Sequence, residues 1–204
     1  PTGAGAETLK IFLNEMARKN STRLTVHVAG HSTGGILMAH LLEAMEDLAP
    51  QLRLGSCTLL APACSVELFR SHYFPYLAQP DTGFGIDKMQ VYNLTDELEQ
   101  EDHVGQVYRK SLLYMVSRAF EEVVEPPTPL LGMQCYSNDL RAEPGVQALG
   151  DRFQVIYSPG RSGVLSQSDS HGGFDNDVAT MNSLLTTILG EAPKTPFTEE
   201  ALTY

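Results

Sequence analysis

The chain has 204 residues, 42% hydrophobic and 19% charged, which is enough apolar sequence for one packed domain and too much for a disordered chain. Fourteen Lys and Arg against 25 Asp and Glu give a net charge of −11. That balance argues against nucleic acid or an anionic membrane surface as the main partner and leaves a small neutral or apolar substrate open.

The first helix is predicted from Leu9, Phe12, Leu13 and Met16, spaced i, i+3, i+4, i+7, and ends at Asn20-Ser21-Thr22. Leu24 to Ala29 reads as a strand bounded by Gly30. Gly34-Gly35 opens a second helix with Leu37, Leu41, Ala44, Met45 and Leu48 inward, ending at Pro50. Ser56 to Ala61 is a second strand, stopped by Pro62, and residues 64–87 are irregular and aromatic. Met89 to Leu94 is a third strand, followed by an acidic loop from Thr95 to Asp102. Val104 to Phe120 reads as a long helix, and the prolines of 125–130 as a stiff connector. Phe153 to Tyr157 is a fourth strand, and a Gly/Ser-rich loop then runs to Gly173. Val178, Met181, Leu185, Ile188 and Leu189 mark the last helix, and the tail from Pro193 is expected to be loosely held.

Short apolar strands alternating with helices imply an α/β fold, a mostly parallel sheet with helices on both faces. The chain reads as one domain over 1–204 without internal repeats. No apolar run approaches the roughly 18 residues of a membrane span. The three cysteines, Cys57, Cys64 and Cys135, are an odd number at spacings that suit neither a disulfide framework nor a zinc site. They point to a reducing, cytoplasmic compartment.

The motif with chemical content is Gly30-His31-Ser32-Thr33-Gly34, a G-x-S-x-G pentapeptide. It follows a predicted strand and runs into a predicted helix, the setting such a motif requires. A tight turn there lifts Ser32 clear of the sheet, and Gly30 and Gly34 are expected to relieve crowding between strand and helix. The helix N-terminus favours developing negative charge, and the Thr33 N–H is placed as an oxyanion donor.

On these residues the chain resembles the α/β-hydrolase superfamily, the serine esterases and lipases. The resemblance is most specific over 24–48. It implies a serine hydrolase of carboxylic esters, with a small-molecule ester substrate and no cofactor or metal. In that family an acid follows a later strand and a histidine follows the last one. Ser168-Asp169-Ser170-His171-Gly172-Gly173 therefore offers His171 as general base. The acid is expected among Asp96, Glu97, Glu99, Glu101 and Asp102, with Asp102 ahead of Asp96 because Asp102-His103-Val104 matches a D-x-V pattern. Asp169 ranks third. His27 and His40 read as structural, and His31 as a pocket-lining residue. Segment 64–87 stands as a possible cap whose Phe69, Tyr73 and Phe74 (with Tyr76) wall the substrate pocket, against the plainer reading of aromatics packed on the core.

Other motifs fail. His27–His31 and His40–Glu43 do not form an H-E-x-x-H zinc helix, Gly3-Ala4-Gly5 is not a dinucleotide loop, and the acidic loop lacks the pattern of a calcium site. The four predicted strands match the last four of the hydrolase fold, so the chain reads as the C-terminal part of a longer sheet. The strand before Ser32 would then have a bare edge, to be completed by a preceding segment or a second chain. A non-catalytic binding module and an acyltransferase with the same residues are the rival expectations.

Overall fold

The computed structural model describes residues 3–18, 24–79, 83–102, 112–119, 126–159 and 165–203. Its frame is a five-stranded, wholly parallel sheet. Strand β1 (Val26–His31) pairs with β2 (Arg53–Leu60), β2 with β4 (Met89–Leu94), and β4 with β5 (Phe153–Ser158). The short β3 (Gly85–Ile86) also pairs with β2, in the same register as β4, so β3 and β4 are one strand interrupted at Asp87-Lys88. The helices are α1 (Ala4–Arg18), α2 (Gly34–Leu48), α3 (Val66–His72), α4 (Phe74–Ala78), α5 (Asp96–Glu101), α6 (Leu112–Ala119), α7 (Gln134–Arg141), α8 (Pro144–Gln147), α9 (Val178–Leu189) and α10 (Glu199–Leu202).

Side-chain alternation along the strands divides the interior. Cys57, Leu59, Met89, Val91 and Phe153 point to one face, where they meet Met38, Leu42 and Met45 of α2 and the aromatics of α3. Leu60, Tyr92 and Leu94 point to the other, against Phe174. That second face is partly polar. Gln90 donates to Gln154 Oε1 (3.2 Å) and accepts from Thr187 Oγ1 (2.7 Å), while the Tyr92 hydroxyl lies 2.6 Å from Ser183 Oγ. Helix α9 is thus tied down by hydrogen bonds as well as by packing, and its Ile188 and Leu189 stay exposed. A third cluster of Ala63, Leu113, Leu130 and Met133 seats α6 beside the end of β2.

Every residue of β4 is buried, whereas β1 has none buried. Among the described residues β1 pairs only with β2. Because all strands run the same way, the C-terminal ends of β1, β4 and β5 open onto one rim, where sites in parallel sheets form. No helix among the described residues is long and apolar enough to cross a membrane.

Several expectations change. The inward face of α2 carries Met38, Ala39, Leu42 and Met45, and Leu37 is exposed, as is Phe12 of α1. The acidic loop is largely helix α5, begun by Thr95, whose Oγ1 accepts from the Leu98 N–H. Short elements β3, α7 and α8 escaped the sequence because two to eight residues carry too little periodicity. The tail is held: Asn182 exchanges two hydrogen bonds with the Phe197 backbone, and Leu202 is buried. The breaker at 20–22, residues 104–111 and 120 of the long helix, His103 and Val104 beside Asp102, the start of the connector at 125 and the loop at 160–164 lie outside the described residues.

Candidate functional site

The turn after β1 is built as its glycines suggest, with one correction. Ser32 has φ of 54°, the left-handed region that a serine occupies only when its surroundings enforce it. Those surroundings are hydrogen bonds to the end of β2, to the segment after it and to α2: Ser32 N–H donates to Leu60 O (2.9 Å), and the Ala63 and Gly35 N–H groups both donate to Ser32 O (3.0 Å). A Cβ at Gly30 would lie 2.9 Å from the backbone C and O of Gly34, so strand and helix approach too closely for any side chain there. A Cβ at Gly34 itself would meet open space, so crowding explains Gly30 and not Gly34. Thr33 caps α2, with its N–H at the positive end of the helix.

His171 arrives from the loop after β5. Ser158 Oγ donates to Ser168 O, the Gln167 N–H donates to Asp177 Oδ2 (2.7 Å), and Ser166 Oγ and Thr180 Oγ1 lie 2.7 Å apart. Asp177 also caps α9, accepting from Thr180 N–H (3.0 Å). Burial opposes its charge, but these hydrogen bonds outweigh that and hold its carboxyl below the usual range. With the loop pinned on both sides, His171 is buried and its Nε2 lies 2.9 Å from Ser32 Oγ. Burial first, and His31 second, push the His171 imidazole down to about 4, against an opposing pull from Asp102.

The two candidate acids sit at opposite ends of α5 and separate cleanly. Asp102 Oδ2 accepts the His171 backbone N–H at 2.6 Å, and its charge acts on the ring. Asp96 faces the start of α7: its N–H donates to Gln134 Oε1 (2.8 Å), its carboxyl accepts from the Cys135 N–H, and burial raises its pKa. Asp169 is exposed. His171 Nδ1 is buried without a hydrogen-bond partner among the described residues, so Asp102 holds the loop through the backbone N–H and does not bond the ring nitrogen.

His31 is not a pocket wall. Its Nε2–H donates to the His171 backbone O (2.8 Å), and the two rings stand 5.3 Å apart, so it supports the histidine loop. His27 is structural as expected, with Nδ1 2.8 Å from Ser56 Oγ. The aromatic wall also moves. Phe69 and Tyr73 are fully buried in the main core, the Tyr73 hydroxyl donates to Gly35 O (2.5 Å), and Phe74 packs against the same cluster. Helices α3 and α4 therefore brace α2 from behind. The cavity at Ser32, about 330 Å³, is lined by Thr33, Ile36, Ala63 and, from α6, Leu112, Met115 and Val116. Their spacing on a predicted helix was the only signal in the sequence that could have revealed them. A larger groove along α9, about 540 Å³, touches none of Ser32, His171 or Asp102.

No family model, curated protein or solved structure matches the chain.

Proposed function

We propose that the chain is a serine hydrolase of carboxylic esters, of the α/β-hydrolase type, acting on a substrate with an apolar acyl or alcohol group. The observation that carries this reading is Ser32 in a left-handed turn at the sheet rim, with Oγ 2.9 Å from His171 Nε2. An apolar cavity opening on that serine supports the substrate class. Ser32 Oγ attacks the acyl carbon while His171 Nε2 takes its proton. The Thr33 N–H stabilises the oxyanion, and the proton then passes to the departing alcohol. Water, deprotonated by His171, attacks the acyl-enzyme and releases the acid, returning Ser32 to its starting state. Asp102 is the carboxylate for the imidazolium formed in both steps, orienting the ring once its other oxygen reaches Nδ1.

The 2.9 Å contact also weighs against a purely non-catalytic module, which would not need a serine held against an uncharged imidazole. Among the described residues β1 pairs only with β2, which fits a sheet completed by a preceding segment or a second chain. The odd cysteine count supports a cytoplasmic location. Hydrolysis of short and medium-chain nitrophenyl esters tests the activity. Turnover is expected for the full chain and a loss of roughly 10³-fold or more in Ser32→Ala and His171→Ala. Equal rates in folded variants and parent would overturn the assignment.

A further inference from the structure

On the flank of α2 away from Ser32, three groups that ligate metals converge. His40 and Glu43 lie one turn apart on α2, and His72 ends α3. His40 Nδ1 is 3.6 Å from Glu43 Oε2, and His72 Nε2 is 3.1 Å from Glu43 Oε1. All three ligand atoms lie within 4.8 Å of one another, and the imidazole rings stand edge to face at 5.3 Å. Ligands bound tetrahedrally at about 2.05 Å sit roughly 3.3 Å apart, so these spacings suit one shared small cation.

The hydrogen-bond directions sharpen the case. Ser71 Oγ donates to Glu67 O (2.9 Å), so its oxygen is left to accept from His72 Nδ1, 2.7 Å away. That contact leaves His72 Nε2 facing the Glu43 carboxylate. At 3.1 Å, a cation shared by Nε2 and the carboxylate, a metal ion or a proton, satisfies both groups. A hydroxyl holding the remote ring nitrogen is also the outer-shell arrangement that orients a ligating histidine. No basic side chain competes for the carboxylate from α3, because Arg70 is paired with Glu67 and Glu143. Glu46 and Asp47, on the same end of α2, add negative charge.

We propose that His40, Glu43 and His72 bind a divalent transition-metal ion of the Zn²⁺ class, cross-linking α2 to α3 and leaving at least one coordination position to solvent. The site lies about 9 Å along α2 from Gly34, at 1.5 Å per residue, so it is separate from the serine centre. The cross-link would stiffen the pair of helices that holds the turn at Ser32, since Tyr73 follows His72 and hydrogen-bonds Gly35. The sequence suggested no metal, because His40 and Glu43 are only two of the three ligands and the third lies 29 residues beyond Glu43.

The test is a Zn²⁺ titration of the full chain against a competing chelating indicator, with melting temperature read in parallel. One equivalent is expected to bind and raise the melting temperature. In His40→Ala and Glu43→Gln, affinity is expected to fall at least 10–100-fold, the loss typical of weakened metal shells, and the thermal shift to vanish. Both side chains are more than half exposed, so these variants keep the fold. The absence of saturable binding by the parent chain, or variants that bind Zn²⁺ as tightly as the parent, would overturn the proposal. The latter result would mean that the bound Zn²⁺ sits elsewhere on the chain and that contacts among the three side chains alone account for the cluster.

Discussion

Helices α3–α4 and helix α6 both carry large apolar side chains, and both lie near the turn at Ser32. They serve different ends. Phe69 and Tyr73 are buried against the sheet and α2, where large aromatic surface stabilises the core. Leu112, Met115 and Val116 of α6 stay partly accessible and line the cavity in front of Ser32. The same division recurs within α5, where Asp96 faces α7 and Asp102 faces His171. Residue type does not separate packing from chemistry in this fold. The rim of the sheet does: Ser32, Asp102 and His171 lie beyond the C-terminal ends of β1, β4 and β5 and meet there.

The sharpest way to break that division is the acid pair. Asp102→Asn is expected to lower ester turnover by roughly 10²–10⁴-fold, by removing the charge that favours the imidazolium. Asp96→Asn, at the far end of the same helix, is expected to stay near the parental rate. Equal losses in steady-state kinetics would mean that the two carboxylates act as one field. The aromatic pair comes next. Phe69→Ala is expected to cost about 3–5 kcal/mol in denaturant unfolding and to leave chain-length preference unchanged. Met115→Ala is expected to do the reverse, with stability nearly kept and preference among ester chain lengths shifted about tenfold. A change of preference in Phe69→Ala would return the aromatic segment to the pocket.

Much of this site was legible because its signals are local. Strand, Gly30, Ser32 and helix follow one another within 25 residues, so one short window of sequence holds them all. His171 was singled out by its place after the last strand, and its ring is the one that meets Ser32 Oγ. The acid stayed open because five carboxylates follow one strand and only the path of α5 decides which faces the histidine. The pocket wall was misplaced because aromatic density marks a core as readily as a pocket, and α6 reaches the serine from 80 residues away. His31 was misassigned because its partner is a backbone carbonyl, which no side-chain pattern signals. The tail shows the same limit, since the Asn182–Phe197 clamp is a tertiary contact.

The His171 environment gives the central claim its pH signature. A histidine lowered from 6.5 to about 4 is uncharged as a base throughout the neutral range and well below it. The unfolded chain binds that proton first, so stability falls as pH drops from about 6.5 toward 4, while the folded chain keeps an uncharged imidazole beside Ser32. Fluorophosphonate labelling, mapped by peptide mass spectrometry between pH 5 and 8, reads serine and base together. The expected result is a single adduct on Ser32, formed at pH 5.5 nearly as fast as at pH 8 and lost in His171→Ala. A folded chain left unlabelled at Ser32, or labelled equally without His171, would contradict the account.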